Sequence, residues 1–209
     1  MFTRWQQEID TKFGTHTTVH RFHGSLPGAL VRLEPLTTPL DRYLLIETRS
    51  NWSAIFANGL SVNDLHSPVS CLPTVLRCRG LEVACVPDRS NMRAKDALQI
   101  YGAVTFGLYG PEETDWLNRI RHVGVANDVG GWEFTAGGEI QSYERTEDYG
   151  ARKVVDRFTP QMLESYCSAL GIRLFDGDFY GGECLVSRVK RTRLGPTMSI
   201  AEARAHLYL

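Results

Sequence analysis

Residues 97–111, ALQIYGAVTFGLYGP, are the longest stretch of the chain without a charge. At 15 residues, broken by three glycines and ended by a proline, the stretch is too short to cross a bilayer as a helix. Within it QIYGAVTFGLYG (99–110) is apolar at odd and even positions alike. A strand of that kind buries both faces and belongs in the middle of a sheet. Gly102 and Gly107 mark bulges or close backbone approach.

The segments around it predict the rest of such a sheet. THTTVHRFHG (15–24), ALVRLEPL (29–36), DRYLLIET (41–48), WSAIFANG (52–59) and LEVACVP (81–87) carry the β-branched and aromatic residues of strands. The short RSN link between the third and fourth predicts a hairpin. SPVSCLPTVLRCRG (67–80) allows a helical turn, interrupted by Pro73, and DRSNMRAKD (88–96) is a charged loop. DWLNRIRHVGVAND (115–128) reads as helix early and strand late. WEFTAGGEIQSYE (132–144) reads as a hairpin with Ala-Gly-Gly at its tip. IRLF, DGDFYGG and ECLVSRV (172–189) read as another hairpin.

Helical signals sit elsewhere. Phe2, Trp5, Ile9 and Phe13 fall at helical spacing before Gly14. Thr159 and Pro160 open a helix that Gly171 stops, with Met162, Leu163, Tyr166, Ala169 and Leu170 on one face. Ser199 and Glu202 make a capping box before a last short helix. The pattern predicts an α+β fold: a largely antiparallel, curved sheet with helices at the chain ends and a C-terminal helical segment. The 209 residues form one globular domain on this reading.

The totals narrow the function. A net charge of −1 lacks the basic excess of a general nucleic-acid binder. The N-terminus has charges at 4, 8, 10 and 12 and no apolar core of a secretory signal, which places the protein in the cytoplasm. Cysteines at 71, 78, 85, 167 and 184 are odd in number and contain no Cys-x-x-Cys, so free, mostly buried thiols are expected rather than disulfides or structural zinc. Neither a membrane partner nor a nucleic-acid partner is expected.

Chemical signatures are sparse. The chain has no Gly-x-Ser-x-Gly, His-Glu-x-x-His, phosphate loop or Gly-x-Gly-x-x-Gly. In HTTVHRFH, His16 and His20 share a strand face about 13 Å apart, too far for one ion, and His23 points the other way. Asp176 and Asp178, with Glu183 nearby, resemble an acidic cation loop, but the calcium pattern is incomplete and a β-turn accounts for Asp-Gly-Asp equally. Cys78 lies between Arg77 and Arg79, which would lower its pKa, yet nothing places a base beside it. No metal, cofactor or catalytic residue is assigned.

Charge distribution is the anomaly. From Asn127 to Tyr149 there are six acids (Asp128, Glu133, Glu139, Glu144, Glu147 and Asp148) against one base, Arg145, with Trp132, Phe134, Tyr143 and Tyr149 among them. SRVKRTR (187–193) then carries four bases and no acid, as a solvated face or edge guard. Acids around aromatic anchors suit a basic protein partner. The expected partner-binding residues are Asp128, Trp132, Glu133, Glu139, Tyr143, Glu144 and Asp148, with Asp176 and Asp178 as a second contact.

NWSAIFANG (51–59), CRGLEVACVP (78–87), YGAVTFGLYGPE (101–112), WLNRIRHVGVANDVGGWEF (116–134) and RKVVDRFTPQMLESYCSALGI (152–172) together resemble a family of small bacterial proteins. That family is similar to the immunity partners of polymorphic or type VI secreted toxins, and the likeness covers roughly residues 40–180. It implies an immunity-type protein that neutralises a cognate protein toxin by occluding its active site. The alternative is a small cytoplasmic enzyme acting on a nucleotide or modified side chain through loop carboxylates.

Overall fold

The structure, a computed structural model, describes residues 7, 10, 11, 15–38, 40–60, 65–88, 101–128, 131–190 and 195–207. Its elements in chain order are β1 (Thr17–Ser25), α1 (Leu26–Leu30), a 3-10 turn (Val31–Leu33), β2 (Leu36–Thr37), β3 (Arg42–Thr48), β4 (Ser53–Ala57), α2 (His66–Leu76) and β5 (Gly80–Val86). They continue with β6 (Ala103–Thr114), β7 (Leu117–Asp128), β8 (Gly131–Gly138), two 3-10 turns (Thr146–Gly150 and Val154–Asp156) and α3 (Pro160–Ala169). A 3-10 turn (Gly177–Phe179), β9 (Tyr180–Val189), β10 (Thr197–Met198) and α4 (Ile200–Leu207) complete the described chain. The fold is α+β, with antiparallel sheets that do not close. Phe2, Trp5, Ile9 and Phe13 lie outside the described residues, as do residues 89–96 of the charged loop and 191–193 of the basic stretch.

The chain divides into two compact units, Met1–Leu65 with Arg173–Leu209, and His66–Ile172. The first holds a four-stranded sheet in the order β1-β9-β3-β4 and the short pair β10-β2. Leu44, Ile46 and Cys184 are buried on one face of that sheet, and Ala29, Leu33 and Phe179 are buried in the same unit. ALVRLEPL is not a strand. Pro27, in the first turn of α1, pre-sets the helical backbone and Val31–Leu33 prolongs it. Nor is 172–189 a hairpin: β9 is central, paired with β1 on one side and β3 on the other.

The second unit is built on β5-β6-β7-β8. The uncharged stretch supplies β6, flanked on both sides as its two apolar faces require. Residues 117–128 are strand throughout, because pairing along β6 outweighs the early helical spacing. WEFTAGGEIQSYE is not a hairpin either; β8 is the return arm of β7. Gly138 sits at φ +84°, where a Cβ would lie 2.2 Å from the Ile120 carbonyl oxygen, so this glycine answers a close approach to β7. α2 tolerates Pro73 because Gly80 leaves room for its ring: a Cβ there would stand 2.6 Å from Pro73 Cγ.

One face of this sheet is covered. Val104, Phe106, Leu108, Val123 and Val125 are buried in register across β6 and β7. Met162, Leu163, Tyr166 and Cys167 of α3 are buried in the same unit, with the Tyr166 ring edge-on to Phe106 at 5.9 Å. Thr159 caps α3 by accepting from the Met162 amide at 3.3 Å, as the sequence predicts. The segment crossing this face is pinned by charge. Arg121 donates to both oxygens of Glu144, at 2.9 and 2.7 Å, and the two side chains are 4% and 1% exposed. The Tyr149 hydroxyl and Gln141 amide also donate to that carboxylate, at 2.6 and 2.8 Å.

Removing one partner of such a buried pair leaves a charge without compensation. Glu144→Ala should therefore lower unfolding stability by about 3–5 kcal/mol, read from urea midpoints.

Candidate functional site

The predicted site residues separate. Register places Asp128 and Glu133 on the sheet face opposite Val125 and Phe134, and both are exposed. Glu139 is exposed just past β8, its amide donating to Ile120 at 2.9 Å. Trp132 is half-buried and packs against the Gly102 backbone, where a Cβ would meet its Cη2 at 2.8 Å. Tyr143 turns inward against Tyr166, with ring centroids 5.5 Å apart, and burial with the nearby Glu144 charge pushes its hydroxyl up to about 12. Glu144 is buried against Arg121, so it offers nothing to a partner. Asp148 pairs with Arg145 at 3.1 Å, on the segment whose Tyr149 ring packs on Phe134 of the covered face. Asp176 and Asp178 belong to the other unit. There Asp176 accepts from the Asp178 amide at 2.9 Å and pairs with Arg173 at 2.7 Å, so the Asp-Gly-Asp stretch is a turn. The six acids thus do not form one patch.

The other candidates resolve similarly. His20 and His23 alternate across β1, and no metal-holding cluster of His, Cys, Asp or Glu exists among the described residues. All five thiols are free, but Cys71, Cys78 and Cys85 are exposed, contrary to the expectation of mostly buried cysteines. Partial desolvation raises the thiol of the largely exposed Cys78, the opposite of activation by Arg77 and Arg79.

What the sheet gathers on its outer face is a different set. Glu82 of β5, Gly107 of β6, His122 of β7 and Gly137 of β8 are consecutive partners across the four strands. The Tyr109 ring leans over Gly107, where a Cβ would lie 3.4 Å away. Its hydroxyl donates to Glu82 at 2.9 Å. His66 Nδ1 stands 3.1 Å from the same oxygen; a carboxylate only accepts, so Nδ1 carries the proton. Arg119 donates to the Tyr109 hydroxyl at 3.1 Å and lies over the Trp116 ring at 4.0 Å. Trp116 meets the His122 ring edge at 6.5 Å, and His122 Nε2 is 2.8 Å from the Thr135 hydroxyl. Polar and aromatic contacts thus run without a break from α2 to β8.

The network ends at a groove of about 380 Å³, lined by the Thr114–Trp116 turn, Arg119, Ile120, Gly137, Gly138 and Glu139. Trp116 is 56% exposed and Leu117 68%, with Leu117 held at φ +59°. Glu112, Glu113 and Asp115 are exposed around this turn. In the first unit a second groove, about 490 Å³, has Glu34 and Glu202 on its wall. Both carboxylates already serve the start of α4: Glu34 accepts from the Ile200 amide at 2.7 Å, and Glu202 from the Ser199 amide at 2.7 Å.

Two groups of the network have clearly shifted protonation. Burial, with Glu82 beside it, pushes the Tyr109 hydroxyl up to about 12, so it stays a donor. Burial and Arg119 lower the His122 pKa, which leaves the imidazole neutral near pH 7. Sequence reasoning missed this site because His66, Glu82, Tyr109, Trp116 and His122 share no motif. The available signal was Trp116, Arg119 and His122 in WLNRIRH, which is legible only once that segment is known to be strand.

Tyr109 is neutral when protonated, and folding raises its pKa from 10.0 to about 12. Its contribution to stability is complete below pH 10 and is lost as pH climbs through the folded value. Tyr109→Phe should flatten the fall in stability across that alkaline window, measured by urea unfolding at a series of pH values. The remaining fall belongs to the other groups that burial raises, Tyr143, Tyr149 and the Cys167 thiol among them.

No protein-family model matches the chain, and neither does any curated protein or solved structure.

Proposed function

We propose that this protein is an immunity-type binding protein that neutralises a cognate bacterial toxin by covering its active site. The observation that carries the reading is the β6–β7 turn. Trp116 and Leu117 stand out from the fold, 56% and 68% exposed, among Glu112, Glu113, Asp115 and Glu139. Aromatic side chains supply most binding energy at interfaces, and surrounding charge sets encounter rate and partner choice. Asp128 and Glu133 add acid farther along the outer face, about 30–36 Å from the turn by strand rise. The partner surface is correspondingly basic. Occlusion needs no reacting group, in keeping with a Tyr109 that keeps its proton.

A second reading, a small enzyme acting on a nucleotide or modified side chain, rests on one observation. Glu82 orients the His66 ring through Nδ1, at 3.1 Å, on a side chain 44% exposed. The carboxylate involved lies on a strand, not a loop. Turnover abolished by His66→Ala with partner binding intact would favour this reading.

The toxin domain recovered with the protein from its native host provides the test. Trp116→Ala should weaken that complex by about 2 kcal/mol or more, roughly 30-fold. Glu133→Lys and Glu139→Lys should slow association and reduce its dependence on salt. Trp132→Phe should bind like the parent protein. A complex indifferent to Trp116 and Glu139 rules this surface out.

A further inference from the structure

We infer that the groove between the β6–β7 turn and the end of β8 receives one arginine side chain of the protein partner. The inference rests on the docking reading above and gives its central contact. Three features of the groove select the occupant.

The first is charge. Asp115 and Glu139 line the groove together with Arg119. Neither carboxylate has a hydrogen-bond or ion-pair partner among the described residues, whereas Arg119 is engaged with Tyr109 through Nη2 and with the Trp116 ring, its buried Nε having no hydrogen-bond partner. Two carboxylates against one guanidinium leave one negative charge, which a single cationic side chain neutralises. The second is the aromatic wall. Trp116 already stacks a guanidinium at 4.0 Å, yet keeps 56% of its surface exposed. A planar cation with fork-like donors fits an indole and carboxylates better than a compact ammonium does. The third is the floor. Gly137 and Gly138 contribute no side chains, and a Cβ on Gly137 would meet nothing within 4 Å. The volume of about 380 Å³ lies at the lower end of ligand pockets and suits one long side chain.

The bare floor also supplies a clean probe. Gly137→Val has space inside the fold and is favourable on an edge strand, but its side chain fills the groove. Gly138 does not serve, because of its close approach to Ile120.

The experiment titrates N-acetyl-argininamide into the full chain and follows tryptophan emission and the backbone amides of Gly137 and Gly138. N-acetyl-citrullinamide is the neutral isostere. The expected result is saturable, salt-sensitive binding in the millimolar range, about what one side chain sustains. It should fall about tenfold in Glu139→Gln and in Gly137→Val, both with parent-like amide spectra, and stay unchanged in Glu133→Gln. Absence of saturation overturns the inference, as does equal binding of the citrulline compound or equal loss in Glu133→Gln. If the probe fails while Trp116→Ala still abolishes toxin binding, the docking surface stands and the arginine pocket is wrong. If the probe binds as expected but Gly137→Val leaves the toxin complex intact, the groove is not the partner's contact and the inference fails.

Discussion

Arg121 and Glu144 meet through two hydrogen bonds of 2.9 and 2.7 Å, with almost none of either side chain exposed. Burial alone would weaken the hold of Arg121 on its proton; the Glu144 carboxylate more than reverses that, and the guanidinium stays charged. A buried pair of this kind is stable only when its remaining valences are filled. They are filled locally. Tyr149 and Gln141 donate to Glu144, and Arg121 donates a third bond to the Gly138 carbonyl at 3.2 Å. The segment after β8 is therefore committed to one face of the sheet. The other face keeps the polar chain from His66 to Thr135 and the groove at its end.

That division sets what the outer face can do. The side chains between α2 and β8 are tied in sequence: Glu82 to Tyr109 and His66, Tyr109 to Arg119, and His122 to Thr135. Each bond removes a degree of freedom from the next residue. At the end of the chain, Arg119 lays the Trp116 ring against a fixed cation. A side chain held this way loses less entropy when a partner covers it. The same bonds hold the cluster rigid from α2 to the edge of the groove.

Much of the framework was visible before folding. β6 declared itself by being apolar on both faces. Thr159 with Pro160, and Ser199 with Glu202, marked helix starts that the structure contains. These are local signals, set by propensity and capping within a few residues. The site was not legible, since its determinants lie far apart in sequence. Glu144 looked like a surface acid because nothing local reveals Arg121 opposite it. Trp132 looked like the anchor because it sits among acids, yet Gly102, thirty residues earlier, gives its ring a seat. Trp116 is hidden in the sequence because its segment has the early spacing of a helix, where an amphipathic face would turn the ring inward. Pairing with β6 makes the same residues a turn and a strand.

The turn itself carries the last step. Leu117 adopts φ +59°, a region that costs an L-residue of its kind about 1 kcal/mol or more. A glycine there would remove that cost; the leucine instead carries a side chain that is 68% exposed. The flanking bonds hold the geometry: Thr114 Oγ1 accepts from the Trp116 amide at 3.2 Å and donates to the Arg119 carbonyl at 3.0 Å. Trp116 stacks on Arg119 within the fold, yet it stays 56% exposed and Leu117 68%, so the pair keeps apolar surface that the isolated fold does not bury. That remaining area would be stabilised by any surface that covered it, at the usual return for buried apolar area.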